Sequence, residues 1–375
     1  MLDGQVQKIE RTVNLKEVTP AVVIESPSSN VTVKGSSLTI TGHAINKSLV
    51  KDVKFYLDGR YYGGLLTLLP RTELGSTYLG YNPTMISGYV YSIDTTKIST
   101  GAHTITVEAT GFNGTKASQT INFNMFGIIN YRSMPNTFEH FVDLEYYYGK
   151  NVVDNTTVAA NRSQIEYCLN PENYINHDNG KYMFLKLNYF EGISAEDLNR
   201  VLNGKGVLSG KGDVFLQAGK TYNVNPIYLV SHSLLETGNG KSALANGINV
   251  TSVAGKAVDP KTVYNVFGIG AYDGIANIAG SERAYKEDWT SVDKAIVGGA
   301  QFISQTYIRS EVYKQDTLYK MKWDLNFAER NDGSSRPWHQ YATDIYWPYK
   351  QTSKIKEIID QMESPVLHFE VPVFK

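Results

Sequence analysis

Cysteine is almost missing from this 375-residue sequence: Cys168 is the only one. That excludes an internal disulfide framework and any structural zinc site built from several thiolates. With no diagnostic motif around it, the thiol reads as a buried apolar residue rather than a nucleophile. An excess of one charge is also missing. The formal net charge is −1 and the sequence pI lies near 6.7, so no global basic field recommends nucleic acid or an anionic membrane as a partner. No apolar run approaches the roughly 18 residues of a membrane span. The stretch Met1–Lys8 lacks the apolar core of a secretory signal, so the chain is either trimmed or leaves the cell by another route. Metal-ligand spacing is absent among His140, His177 and His232, and there is no His-Glu-x-x-His motif, so no metal is expected. Gly204-Lys205-Gly206 is too short for a phosphate loop, and no nucleotide or other cofactor is expected.

What is present divides by period. The length predicts two domains. Between about Ala21 and Met125, Val31/Val33, Leu38/Ile40, Val53/Phe55/Leu57, Ile105/Val107/Ala109 and Ile121/Phe123/Met125 alternate with polar neighbours, the mark of half-buried strands. Asp58-Gly59 and Asn113-Gly114 separate such runs and suit the positive φ angles of tight hairpins. Six to eight short strands of this kind predict a β-sandwich. The expected division is an extension over 1–20, a sandwich over 21–127 and a second domain over 128–375.

After Phe126 the pattern turns helical. Ser194-Ala195-Glu196-Asp197 can cap a helix carrying Leu198, Val201 and Leu202, with Gly204 at its C-terminal end. Asn225-Pro226 is a start signal for a helix with Ile227, Val230 and Leu234 on one face. Thr290 with Asp293 opens another, whose Ala295, Ile296, Gly299, Ala300 and Ile303 form a packing stripe. Between the helical blocks, Gly247 to Asp273 is rich in Val, Gly and Asn and predicts a β-hairpin or a long ordered loop.

One carboxylate stands out. Counted from Pro226, Glu236 lies about three turns into its helix and just before Thr237-Gly238-Asn239-Gly240, where the glycines can end the helix and admit a ligand to the backbone. A helix C-terminus and the neighbouring Leu234 and Leu235 both disfavour ionisation. A protonated carboxyl at neutral pH is what a general acid for glycoside cleavage needs. His232, four residues earlier, shares its face and is placed to touch Glu236 or line the surface beside it.

The blocks Tyr222-Asn223-Val224-Asn225 and Ile227 through Gly240, then Tyr264-Asn265-Val266-Phe267-Gly268-Ile269-Gly270-Ala271-Tyr272-Asp273, then His339-Gln340-Tyr341-Ala342-Thr343-Asp344-Ile345, resemble in order the endo-β-N-acetylglucosaminidases of glycoside hydrolase family seventy-three. They look most like the glucosaminidase part of staphylococcal-type autolysins. Lys205-Gly206-Val207-Leu208 and Gly298–Ile303 extend the likeness to roughly residues 170–349. The region around Val53–Gly59 resembles, more loosely, the immunoglobulin-like modules of Gram-positive surface proteins.

The resemblance implies a multidomain chain: an all-β immunoglobulin-like sandwich, then a mainly α, lysozyme-like catalytic domain with a β-hairpin lobe. It implies Glu236 as the general acid and Tyr341 as an active-site tyrosine that positions a water or stabilises positive charge. It places Asn265, Phe267, Gly268 and Tyr272 in the lobe lining a glycan groove, with His232, Asn239, Gln340 and Asp344 as further substrate-binding candidates. Glycosidases commonly pair two carboxylates. Asp259 and Asp273 are candidates for the second, Asp344 an alternative, and the substrate's own N-acetyl group a solution needing none. The implied substrate is the glycan strand of peptidoglycan, cut between N-acetylglucosamine and N-acetylmuramic acid by a secreted or wall-associated protein, in an autolysin or a phage-type lysin. A lytic transglycosylase is the alternative, and a non-catalytic glycan-binding module the next. The sandwich would serve as spacer, wall-targeting module or particle-assembly surface.

Overall fold

The computed structural model describes residues 20–78, 86–154, 157–272, 274–329, 336–362 and 365–375. The chain forms two compact units. One reaches to Val33 and takes in Ser37–Asp94 and Ala102–Met125; the other is mainly Phe126–Lys375.

The first unit is a β-sandwich. One sheet has the order Ala21–Ser26, Ser37–Ile45, Ile86–Asp94, Leu69–Pro70. The other runs Val31–Val33, Lys116–Met125, Gly101–Gly111, Val50–Leu57, Arg60–Leu65. The described strands number nine, more than the six to eight expected, and Leu69–Pro70 is too short to show a period. The alternating residues do point inward: Val53, Phe55, Ile105 and Val107 are fully buried. Phe55 stacks on Tyr91 at 4.1 Å and meets Tyr89 edge-on at 5.8 Å, which joins the two sheets through their aromatic faces. Asp58 and Gly59 both take positive φ, as the hairpin requires. At the other turn only Gly114 does, and the Asn113 side chain instead accepts from the Thr115 backbone and hydroxyl.

The second unit is mainly α. Its centre is the helix Pro226–Glu236, nine of whose residues, Pro226 to Leu234, are buried. A helix buried around its whole circumference belongs inside a core, and this one, with Ser231, His232 and Ser233 also buried, lies among Ala195–Leu202, Gly212–Tyr222 and Trp347–Ile359. The capping signals hold with small shifts. Ser194 accepts from Asp197 N, and Asn225 from Ile227 N. Gly204 takes a left-handed φ one residue beyond the C-cap, Asn203. The helix Val292–Ile303 is capped by Ser291 rather than Thr290, since the Ser291 hydroxyl reaches Lys294 N. The Val- and Gly-rich stretch contains the hairpin Ile248–Val253/Lys256–Val263, turned at Ala254-Gly255. Directly after Phe126 the chain forms a strand, Ile128–Ser133, not a helix. It pairs in parallel with His368–Val373, a partner too distant in sequence for local periodicity to reveal.

Candidate active site

Glu236 is the last residue of the central helix. The helix ends there because three successive residues, Gly238, Asn239 and Gly240, take left-handed φ angles of 55°, 62° and 77°. The turn is locked by Thr237, whose hydroxyl donates to Ser233 O and accepts from Gly240 N at 2.7 Å. The glycine at 240 serves packing rather than ligand access: a Cβ there would sit 2.1 Å from Lys205 O, so the turn docks backbone to backbone on Lys205-Gly206.

The Glu236 side chain is exposed on one side and crowded on the other. A Cβ on Gly268, itself at φ +63°, would lie 2.7 Å from Glu236 Oε2. Only glycine lets the loop come this close in that conformation. Burial raises the Glu236 carboxyl above its ordinary value, the direction required of a proton donor. Among the described residues no hydrogen bond or ion pair holds the carboxyl.

One helical face carries Tyr228, His232 and Glu236 at spacings of four. His232 is buried, and burial pulls its pKa down to about 4, so the ring is neutral. It stacks on Tyr228 at 5.5 Å and on Phe267 at 5.9 Å, and meets Tyr341 edge-on at 6.3 Å. Its role in the structure is therefore an aromatic layer beneath the surface, not a group presented to a ligand. Tyr341 also packs against Trp347 at 4.6 Å and Tyr307 at 5.3 Å. Burial, with the Glu236 carboxylate and Tyr307 adding to it, raises the Tyr341 phenol far above its usual value and keeps it protonated.

Several expected site residues are placed otherwise. Asn265 is buried: its amide nitrogen donates to Ile269 O and Gly280 O, and its oxygen accepts from Phe267 N and Ile269 N. It braces the loop that delivers Gly268. Phe267 is core, packed so closely on Gly299 that a Cβ there would meet its ring at 2.0 Å. Gln340 turns its amide nitrogen inward to Glu145 Oε2 at 2.7 Å. Asp344 is fully buried, paired with Lys350 at 2.6 Å and accepting from Asp154 N and Tyr346 N. Asp259 is exposed on the hairpin strand Lys256–Val263, where its carbonyl accepts from the Tyr285 hydroxyl, and no described contact links it to Glu236. Tyr272 is exposed and Asn239 half-buried. Asp273 lies outside the described residues.

Two tyrosines at the site carried no signal of their own in the sequence. Tyr228 is buried, with no hydrogen-bond partner for its hydroxyl among the described residues. Tyr307 sits on the π-helical turn Ser304–Ile308 that follows Val292–Ile303. Such turns re-aim a side chain that a continuous α-helix would point elsewhere.

Comparison with known proteins agrees with this architecture. Residues 212–363 match the family model described as mannosyl-glycoprotein endo-beta-N-acetylglucosaminidase, and residues 20–107 match a bacterial Ig domain. A beta-N-acetylglucosaminidase of Bacillus subtilis is 41% identical over 217 residues, which are 58% of this chain and 23% of that protein. A bifunctional autolysin of Staphylococcus epidermidis is 42% identical over 216 residues, 58% of this chain and 15% of that one. The chain thus spans under a quarter of these relatives. Among solved structures, S. aureus glucosaminidase B aligns with a TM-score of 0.54 at 32% identity, covering 66% of this chain and 94% of the other. The structure titled major bifunctional autolysin aligns at 0.52 and 34% identity, covering 66% and 99%. With 94% and 99% of these two solved chains covered at 32% and 34% identity, this chain belongs to the endo-β-N-acetylglucosaminidase family and carries a bacterial Ig domain ahead of the segment that matches the family model.

Proposed function

We propose that the protein is a peptidoglycan hydrolase that cleaves the β-1,4 bond between N-acetylglucosamine and N-acetylmuramic acid, with Glu236 as general acid. The observation that carries this reading is the Glu236 carboxyl itself: exposed on one side, desolvated on the other and unpaired among the described residues. A carboxyl held in this state keeps its proton at higher pH than a solvated one and can deliver it to a leaving oxygen. The phenol of Tyr341, also kept protonated, serves the opposite side of the reacting sugar by orienting a water or supporting positive charge. Exposed Tyr272 offers a ring for the apolar face of a sugar. In this mechanism Asp259, exposed on the hairpin, and Asp344, paired with Lys350, are given no part as second carboxylates. The cell wall is then the place of action, reached with the sandwich, over about 21–127, as spacer or wall-targeting module.

Digestion of purified peptidoglycan tests the assignment. Glu236→Gln is expected to lower the rate by at least about a thousandfold with an unchanged circular dichroism spectrum. Mass spectrometry of the parent digest should show reducing-end N-acetylglucosamine. A 1,6-anhydromuramic acid end would make the protein a lytic transglycosylase instead, and wall binding without digestion would make it a glycan-binding module.

A further inference from the structure

Glu145 lies on the helix Phe138–Tyr148, outside the segment that matches the family model. Its carboxylate is fully buried. Oε2 accepts from Gln340 Nε2 at 2.7 Å and from Asn151 Nδ2 at 2.8 Å. Asn151 also donates to Glu145 O at 2.9 Å, and its Oδ1 accepts from the fully buried Lys322 Nζ at 2.6 Å. Lys322 reaches on to Thr343 O at 3.4 Å.

These groups converge on the segment that carries Tyr341. Asp324 Oδ2 accepts from Trp338 N and His339 N. Gln315 holds the His339 carbonyl and ring. Glu145 holds Gln340, Met321 O accepts from Tyr341 N at 2.9 Å, and Lys322 reaches Thr343. The segment has no helix or strand of its own, so its setting comes from these partners. Among the described residues Glu145 and Lys322 form no direct ion pair and are bridged by the Asn151 amide; buried polar groups of this kind add little stability over apolar substitutes, but their hydrogen bonds are directional and admit one arrangement.

We propose that Glu145 is a positioning residue for the reaction: through Gln340 it fixes the backbone that aims the Tyr341 phenol at the site of Glu236. The inference rests on the reading of Tyr341 given above. The groups facing Glu145 are Lys322, Asn151, Gln340 and Asp324. Burial raises the Glu145 carboxyl and Lys322 opposes that rise, so the link to Gln340 is made in a desolvated setting rather than in water.

The test compares Gln340→Leu, Tyr341→Phe and the double variant on soluble glycan strands from purified peptidoglycan. Glu145→Gln, which keeps an oxygen for Gln340, is set beside Glu145→Leu, which does not. Gln340→Leu should lower kcat by about ten- to a hundredfold while KM moves less than about twofold. In the Tyr341→Phe background the same change should cost little, because it acts through Tyr341. Glu145→Gln should retain more kcat than Glu145→Leu. If Tyr341→Phe is impaired but Gln340→Leu keeps the parental kcat, or the two losses multiply, the positioning role is overturned and the site reading stands. If Tyr341→Phe turns over like the parent, the reading of Tyr341 fails and the inference with it.

Discussion

Glu236 and Tyr341 face the same aromatic layer, yet their supports differ in kind. Glu236 rides on a helix whose cap, buried face and left-handed exit all lie between Asn225 and Gly240. Tyr341 rides on an irregular segment held by side chains from residues 145, 315, 322 and 324. A helix satisfies most of its backbone internally, and needs help only at its ends. An irregular segment must find a partner for each buried group elsewhere in the chain. The Glu236 carboxyl is thus locally built and the tyrosine is tertiary-built, so damage to distant residues should reach the second far more than the first.

The strongest way to break this contrast is Glu145→Ala, which takes the buried acceptor away from Asn151 and Gln340 and one of the neighbouring carboxyls away from Lys322. Leaving a buried donor unsatisfied costs about 1–3 kcal/mol, and here two are left, a loss measurable by urea unfolding. A cost under about 1 kcal/mol would mean that the Tyr341 segment does not depend on Glu145. Next in size is Asn225→Ala. It removes the helix cap at Ile227 N and the bond to Lys186 O at 3.0 Å, with an expected loss of about 1–2 kcal/mol. Because the helix is buried along its length, it should persist and Glu236 should keep most of its activity. A variant as inactive as Glu236→Gln would show that the helix is not self-sufficient.

The smallest effect concerns Glu236 itself. Its carboxyl is raised in the folded protein relative to an ordinary value of 4.5. The folded state therefore binds more protons in the window above 4.5, and stability falls as pH rises through the folded value. Above it the ionised group is a cost that glutamine lacks. Glu236→Gln should have a slightly higher Tm than the parent at neutral pH, and the gap should close below pH 4.5. A lower Tm at neutral pH would show that the carboxylate is stabilised by the fold and is poorly suited to donate a proton.

Legibility in the sequence followed the same division. The inward strand residues, the Asn225 cap, the hairpin lobe and the place of Glu236 at a helix end were all readable, because each depends on a period or a cap within a few residues. The resemblance placed Gly268 in the lobe of a glycan groove, whereas its close approach to Glu236 emerged only from the folded chain, where a Cβ would meet the carboxyl. It offered Asn265, Phe267, Gln340 and Asp344 as ligand contacts, and in the folded chain all four are engaged by other parts of the protein. All four residue types suit sugar binding, and only their partners show them spent on the fold. Tyr228 and Tyr307 were missed for the converse reason: a tyrosine on a core helix and one after a packing stripe look like ordinary packing.

The sequence by itself determined a β-sandwich followed by a helical unit, and one carboxyl set at the end of a buried helix, since alternation, caps and left-handed glycines act over short distances. Tertiary structure alone decided what surrounds that carboxyl. The parallel pairing of Ile128–Ser133 with His368–Val373, the neutral His232 layer and the Glu145–Gln340 link each join residues far apart in the chain. Desolvation and hydrogen-bond closure are properties of the packed interior, and no local pattern encodes them.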